Sequence, residues 1–140
     1  MPIKLNKVAY TTSATAKGGR AGHVRSADGL VEFDLAQPGT TPEPAVNPET
    51  LFAAGYSACF QGALANRAKT LGVDTSDSTV TANVSFGPSE DGGFGLAVEL
   101  EVSIPGVDAA KAQELVELAH QFCPYSKATR DNIEVTLTVV

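Results

Sequence analysis

The two cysteines, Cys59 and Cys123, are the residues of this 140-residue chain best suited to covalent chemistry. They lie 64 positions apart, which is neither a CxxC motif nor a zinc-ligand pattern. A thiol pair suits the reduction of peroxides. One thiolate attacks a peroxide oxygen and becomes a sulfenic acid, and the second thiol condenses with it to a disulfide before over-oxidation proceeds. The alternative is structural: Cys59 as a small buried hydrophobe in an apolar helix, and Cys123 as a helix-end residue packed on a sheet.

The attack needs a thiolate, and a cysteine with a pKa of about 8.5 is only a few per cent ionised at neutral pH. A nearby arginine can lower that pKa. Arg20, in KGGR, is the best candidate, because glycines let its backbone approach another element. Its other reading is an exposed turn arginine. Glu49 could fix the guanidinium in a bidentate pair, or could simply favour a helix N-terminus. Ten helical residues put Glu49 about 15 Å from Cys59 along the axis. The two can share a site only if the helix bends or a second subunit contributes, and an interfacial site is the expectation.

Other constellations are weaker. His120 lies one turn before Cys123, but two ligands make no metal site, and none is expected. His23 reads as a strand-surface residue. KGGRAG falls short of a GxGxxG nucleotide loop. No Ser/His/Asp arrangement is legible.

The elements that must position the cysteines are well marked. Every even position from Phe94 to Ile104 is apolar, the period-two signature of a half-buried strand. Val80, Ala82, Val84 and Phe86 repeat the pattern, and GPSEDGG between the two runs predicts a β-hairpin. Ile133, Val135, Leu137 and Val139 predict a last strand. Near the front, Lys4 to Thr12, Arg20 to Arg25 and Val31 to Leu35 are strand-like. KGGR and SADG supply turns.

Two helices interrupt the strands. The first has Asn47 as N-cap, Pro48 at its first position and Glu49 in its first turn, and runs to about Leu71, where Gly72 stops it. Between Glu49 and Arg67 it carries no charge, which marks a central, buried helix. Cys59 sits inside it. The second starts after Asp108, repeats Leu115, Leu118, Ala119 and Phe122 at helical spacing, and ends at Pro124. Pro38, Pro42, Pro44 and Pro48 predict a stiff extended crossing before the first helix.

The order βββ-α-ββ-α-β predicts an α+β fold with a mostly antiparallel sheet, as one domain over residues 1–140. An apolar helix lying on a single sheet predicts a second copy that covers it, hence a homodimer. The net charge of −6, from 16 acidic and 10 basic residues, argues against nucleic acid and anionic membranes as partners. MPIKLNKVAYTTSATA has no apolar core of signal-peptide length, and no run approaches the roughly 20 apolar residues of a membrane span. A cytoplasmic location is expected, where free or redox-active thiols prevail over structural disulfides.

NPETLFAAGYSACF, GGRAG with SADG, and above all CPYSKATRDNI resemble the organic hydroperoxide resistance (Ohr) branch of the Ohr/OsmC family. The resemblance spans essentially the whole chain. It implies an OsmC-like fold in an intertwined homodimer with two interfacial sites. It also implies a thiol peroxidase that reduces organic hydroperoxides, including those of fatty acids, to alcohols. By motif position, Cys59 corresponds to the peroxidatic cysteine, Cys123 to the resolving one, Arg20 to the activating arginine and Glu49 to its acidic partner. The reductant implied is a dihydrolipoyl group, as dihydrolipoamide or on a lipoylated protein, with no bound cofactor. Asp131 stands where glycine is expected after ATR, and Thr50 where glutamine is common.

The substrate is expected in an apolar pocket. Phe52, Tyr56 and Phe60 are near enough in sequence to line it, or else belong to the core. The rival reading is a non-catalytic redox sensor or a binder of hydrophobic ligands.

Overall fold

The computed structural model describes residues 1–140 and divides into two compact units, Met1–Pro48 and Glu49–Val140. In the first unit, β1 (Ala14–Lys17), β2 (His23–Ser26) and β3 (Glu32–Asp34) form an antiparallel sheet in that order. A single 3-10 turn, Gly19–Ala21, joins β1 to β2 and carries Arg20. Gly18 and Gly19 take positive φ there (81° and 63°), the conformation for which the KGGR glycines are needed.

Two expectations fail in this unit. Residues 4–12 form no strand; the first strand lies later, at Ala14–Lys17. Within this chain residues 4–12 join no sheet, and the apolar side chains of Ile3, Leu5, Val8 and Tyr10 are exposed. The proline-rich stretch is a returning loop rather than an extended crossing. Leu35 and Val46 bridge in parallel, and the Ala36 N–H donates to the Val46 carbonyl at 3.1 Å. Gly39, at φ 78°, lets the chain turn between Gln37 and Thr40. The prolines lack the N–H groups a strand would need.

The second unit holds the core. α1 (Pro48–Leu71) keeps the predicted bounds, with Gly72 at φ 66° ending it. It buries Tyr56, Phe60, Ala63, Leu64 and Ala68, while the small residues Ala54, Ala58, Gly62 and Ala65 stay exposed. β4 (Thr79–Pro88) and β5 (Phe94–Ser103) form the hairpin, in a register that sets Val80 opposite Val102, Ala82 opposite Leu100 and Val84 opposite Val98. β6 (Glu134–Val139) pairs with β5 in parallel, adding Val135, Leu137 and Val139 to the same rows.

A parallel partner needs a crossover, which here is α2 (Ala109–Phe122) followed by α3 (Pro124–Thr129). The Asp108 side chain caps α2 by accepting from the Lys111 N–H at 2.9 Å. α3 was not expected. Pro124 ends α2 but also starts a new helix, since a first-turn position needs no N–H. Leu100, Val102, Leu115, Val116 and Ala119 of these elements close over the buried face of α1. No helix is long and apolar enough to cross a membrane.

Candidate active site

α1 carries Cys59 and the α2–α3 junction carries Cys123, which is the C-cap of one helix and the N-cap of the next. Both thiols are free, Cys59 half-buried and Cys123 fully buried. The fold brings them together: the Cys123 thiol donates to the Cys59 sulfur across 3.5 Å. A disulfide needs about 2.05 Å between sulfurs, so the two must close by roughly 1.5 Å to bond.

Burial pushes the Cys59 thiol above its ordinary value. The backbone N–H of Tyr125, in the first turn of α3, pulls it back down, and the Cys123 contact raises it. Left to these groups the sulfur is mainly a thiol at neutral pH, and a cation is what would ionise it.

The polar groups around the pair are fully matched; no buried side-chain nitrogen or oxygen lacks a hydrogen-bond partner. Tyr56 Oη meets Ser126 Oγ at 2.8 Å and Thr129 Oγ1 at 3.1 Å. His120 Nδ1 meets Ser126 Oγ at 2.8 Å. The Arg130 guanidinium donates to the His120 carbonyl at 2.5 Å at the end of α2. Burial first, and then the Arg130 charge, hold the His120 pKa below 6.5, so its ring is neutral at pH 7. The sequence singled out none of Tyr125, Ser126 and Thr129 for the site. Ser126 stands three residues after Cys123 in CPYS, which was the available signal.

An apolar cavity of about 270 Å³ lies between α1, β5 and α3, lined by Phe52, Leu96, Tyr125, Ala128 and Ile133 among others. Phe52 therefore lines a cavity as one reading held, whereas Tyr56 and Phe60 are fully buried core. Tyr125 links cavity and thiol: its ring lines the one and its N–H faces the other. Its ring lies against Gly55, where an added Cβ would come within 3.2 Å.

Glu49 occupies the first turn of α1, half-buried, two turns and more from Cys59 on the same helix. Arg20 is exposed in the first unit. His23, on β2, bridges Asp34 Oδ1 at 2.8 Å and Glu32 Oε2 at 2.9 Å, as a strand-surface residue. Asp131 takes φ 61°, which accounts for the glycine expected there.

The sequence profile of the OsmC-like protein family matches residues 39–138. The chain is 50% identical over 131 residues to the organic hydroperoxide resistance protein OhrB of Bacillus subtilis, covering 91% of this chain and 96% of that one. The crystal structure of that protein superposes with a TM-score of 0.91 at 48% identity, over 95% of this chain and all (100%) of the other. An organic hydroperoxide resistance protein from Elizabethkingia anophelis, at 55% identity, superposes with a TM-score of 0.87 over 95% of this chain and 97% of its own.

Proposed function

Because the chain belongs to the OsmC-like family, in its organic hydroperoxide resistance branch, we propose that it detoxifies organic hydroperoxides as a cysteine-based peroxidase. Cys59 attacks a peroxide oxygen. The O–O bond breaks, the alcohol leaves after taking a proton, and the cysteine becomes a sulfenic acid. The Cys123 sulfur then attacks Cys59, forming the disulfide and releasing water. A dihydrolipoyl group, free or on a lipoylated protein, reduces the disulfide in two thiol exchanges.

The observation that carries this reading is the 3.5 Å separation of the two free thiols. The apolar cavity beside Tyr125 supports an organic, including fatty-acid, substrate over hydrogen peroxide. Burial of Cys59 creates the need for a cation. Arg20 takes that role and Glu49 orients it, by the match of their motifs to the family. Residues 1–140 act as one domain in this reading.

The working form is a homodimer in the cytoplasm. The exposed Ile3, Leu5, Val8 and Tyr10, and the exposed small residues of α1, favour a second copy. Glu49 lies about 15 Å from Cys59 along α1, which favours a site completed across subunits.

A steady-state assay with cumene hydroperoxide or a fatty-acid hydroperoxide tests the proposal, with dihydrolipoamide as reductant and hydrogen peroxide for comparison. Turnover on the organic substrate that disappears in Cys59→Ser supports it. No turnover with any dithiol would remove the peroxidase reading and leave redox sensing or ligand binding.

A further inference from the structure

Three polar side chains sit three residues from a cysteine. Tyr56 precedes Cys59 on α1, His120 precedes Cys123 at the end of α2, and Ser126 follows Cys123 in α3. Tyr56 and Cys59 therefore share a helix face. The polar atoms of the three meet in an interior where Tyr56 and Ser126 have no exposed surface.

The contacts fix where each hydrogen lies. Thr129 Oγ1 approaches the Ser126 carbonyl at 3.2 Å, and a carbonyl can only accept, so Thr129 donates there. Each hydroxyl has one hydrogen. Thr129 Oγ1 must then accept from Tyr56 Oη at 3.1 Å, and Tyr56 Oη from Ser126 Oγ at 2.8 Å. Ser126 Oγ, its hydrogen used, must accept from His120 Nδ1–H at 2.8 Å. Every contact is satisfied, and no other order satisfies all four. The imidazole is the Nδ1–H tautomer with its lone pair on Nε2. Protonation would add a hydrogen at Nε2 and leave the chain intact.

We propose that this one-directional chain, His120 to Ser126 to Tyr56 to Thr129, is a clamp that holds the Cys123–Pro124–Tyr125 turn against α1 and so sets the reach of Cys123 to Cys59. Tyr56, Ser126 and His120 are positioning residues for disulfide formation. The inference rests on reading the thiols as a redox pair. Its chemistry is the closing step: either the Cys123 thiol attacks the Cys59 sulfenic acid and its oxygen leaves as water, or the two thiols give two electrons and two protons to an external disulfide, which leaves as two thiols. Geometry matters because the pair reacts as an intramolecular couple, whose effective concentration falls when its partners are free to drift.

Two measurements on the full chain test it, with Tyr56→Phe and Ser126→Ala each keeping the buried volume nearly unchanged. The first is the equilibrium between dithiol and disulfide forms in a dithiothreitol redox buffer. Loss of the clamp is expected to lower the disulfide's equilibrium constant about tenfold, or about 30 mV. An unchanged constant in both variants overturns the proposal. The second is the His120 tautomer by nitrogen-15 NMR. The wild type is expected as Nδ1–H. In Tyr56→Phe, Ser126 loses its acceptor and turns its hydrogen toward Nδ1, moving the ring to Nε2–H. An Nε2–H ring in the wild type, or no change in Tyr56→Phe, overturns the chain. Neither readout uses a hydroperoxide, so failure to reduce hydroperoxides would remove the peroxidase reading alone.

Discussion

The sulfur atoms of Cys59 and Cys123 lie 3.5 Å apart, although 64 residues separate them in the chain. α1 brings one and the α2–α3 junction the other. The first prediction concerns their unequal roles. Cys59→Ser is expected to lower peroxidase turnover at least about a hundredfold, since a serine hydroxyl is not ionised at neutral pH. Cys123→Ser is expected to allow a single oxidation of Cys59 and then stall, giving one equivalent of alcohol per chain. Quantifying that alcohol in a single-turnover mixture checks both. Normal steady-state turnover in Cys123→Ser would refute its resolving role.

Gly55 offers a separate handle on the cavity. An added Cβ would come within 3.2 Å of the Tyr125 ring, which is partly exposed and can give way. In a helix, alanine in place of glycine gains about 1 kcal/mol. Gly55→Ala is thus expected to leave stability equal or slightly raised while displacing Tyr125. The activity on a bulky hydroperoxide should change more than that on a small one. Comparing kcat/KM for cumene and tert-butyl hydroperoxides, alongside a denaturation curve, tests this.

The two histidines should titrate in opposite directions. Hydrogen bonds to Asp34 and then Glu32 raise the His23 pKa above 6.5. Burial and then the Arg130 charge hold that of His120 below 6.5. A raised folded pKa means that the His23 contribution to stability is full below pH 6.5 and is lost as pH rises through its folded value. A lowered one means that the His120 contribution is full above pH 6.5 and is lost as pH falls through its own. An NMR titration of the two rings should find one midpoint on each side of 6.5, and His23→Gln should remove the alkaline-side loss of thermal stability. Two midpoints on the same side would contradict the geometry of one ring.

At Asp131 the backbone sits at φ 61°, a conformation that costs most residues free energy and aspartate less than most. Asp131→Gly relieves it but gives the unfolded chain more freedom. The balance expected is a gain of about 0.5 kcal/mol, read as a small rise in the urea midpoint with unchanged slope. A loss above about 1 kcal/mol would mean that the Asp131 side chain itself stabilises the loop.

Much of this architecture could be read from local signals. Pro48 and Gly72 marked both ends of α1, and alternation marked β4, β5 and β6. What escaped was whatever depends on a distant partner. The parallel pairing of β6 leaves no mark on its own alternation, because an antiparallel neighbour would require the same pattern. Residues 4–12 include Val8, Tyr10, Thr11 and Thr12, residue types that suit a strand, yet composition supplies no partner. α3 hid behind a proline that both stops and starts helices.

The candidate site divides in the same way. Spacing could not reveal the thiol contact, and it was the motifs around each cysteine, through their family resemblance, that paired them. The roles of Arg20 and Glu49 rest on that resemblance too, since an arginine in a glycine turn and a carboxylate in a first turn are ordinary residues locally. Tyr56 and His120 looked like core and helix-face residues because their hydroxyl and ring nitrogen meet only through Ser126, on an element the pattern did not announce.

Cys123 has no exposed surface, whereas Cys59 is partly open. Seen from solvent, a molecule with two thiols therefore presents a single terminal. A bulky alkylating reagent would count one cysteine in the native chain and two only after unfolding. On the proposed chemistry, an incoming dithiol would meet the Cys59 sulfur of the oxidised pair first, form its mixed disulfide there, and expel Cys123 as the leaving group. In that scheme current would enter and leave by the same contact, and the inner sulfur would never need to touch the outside.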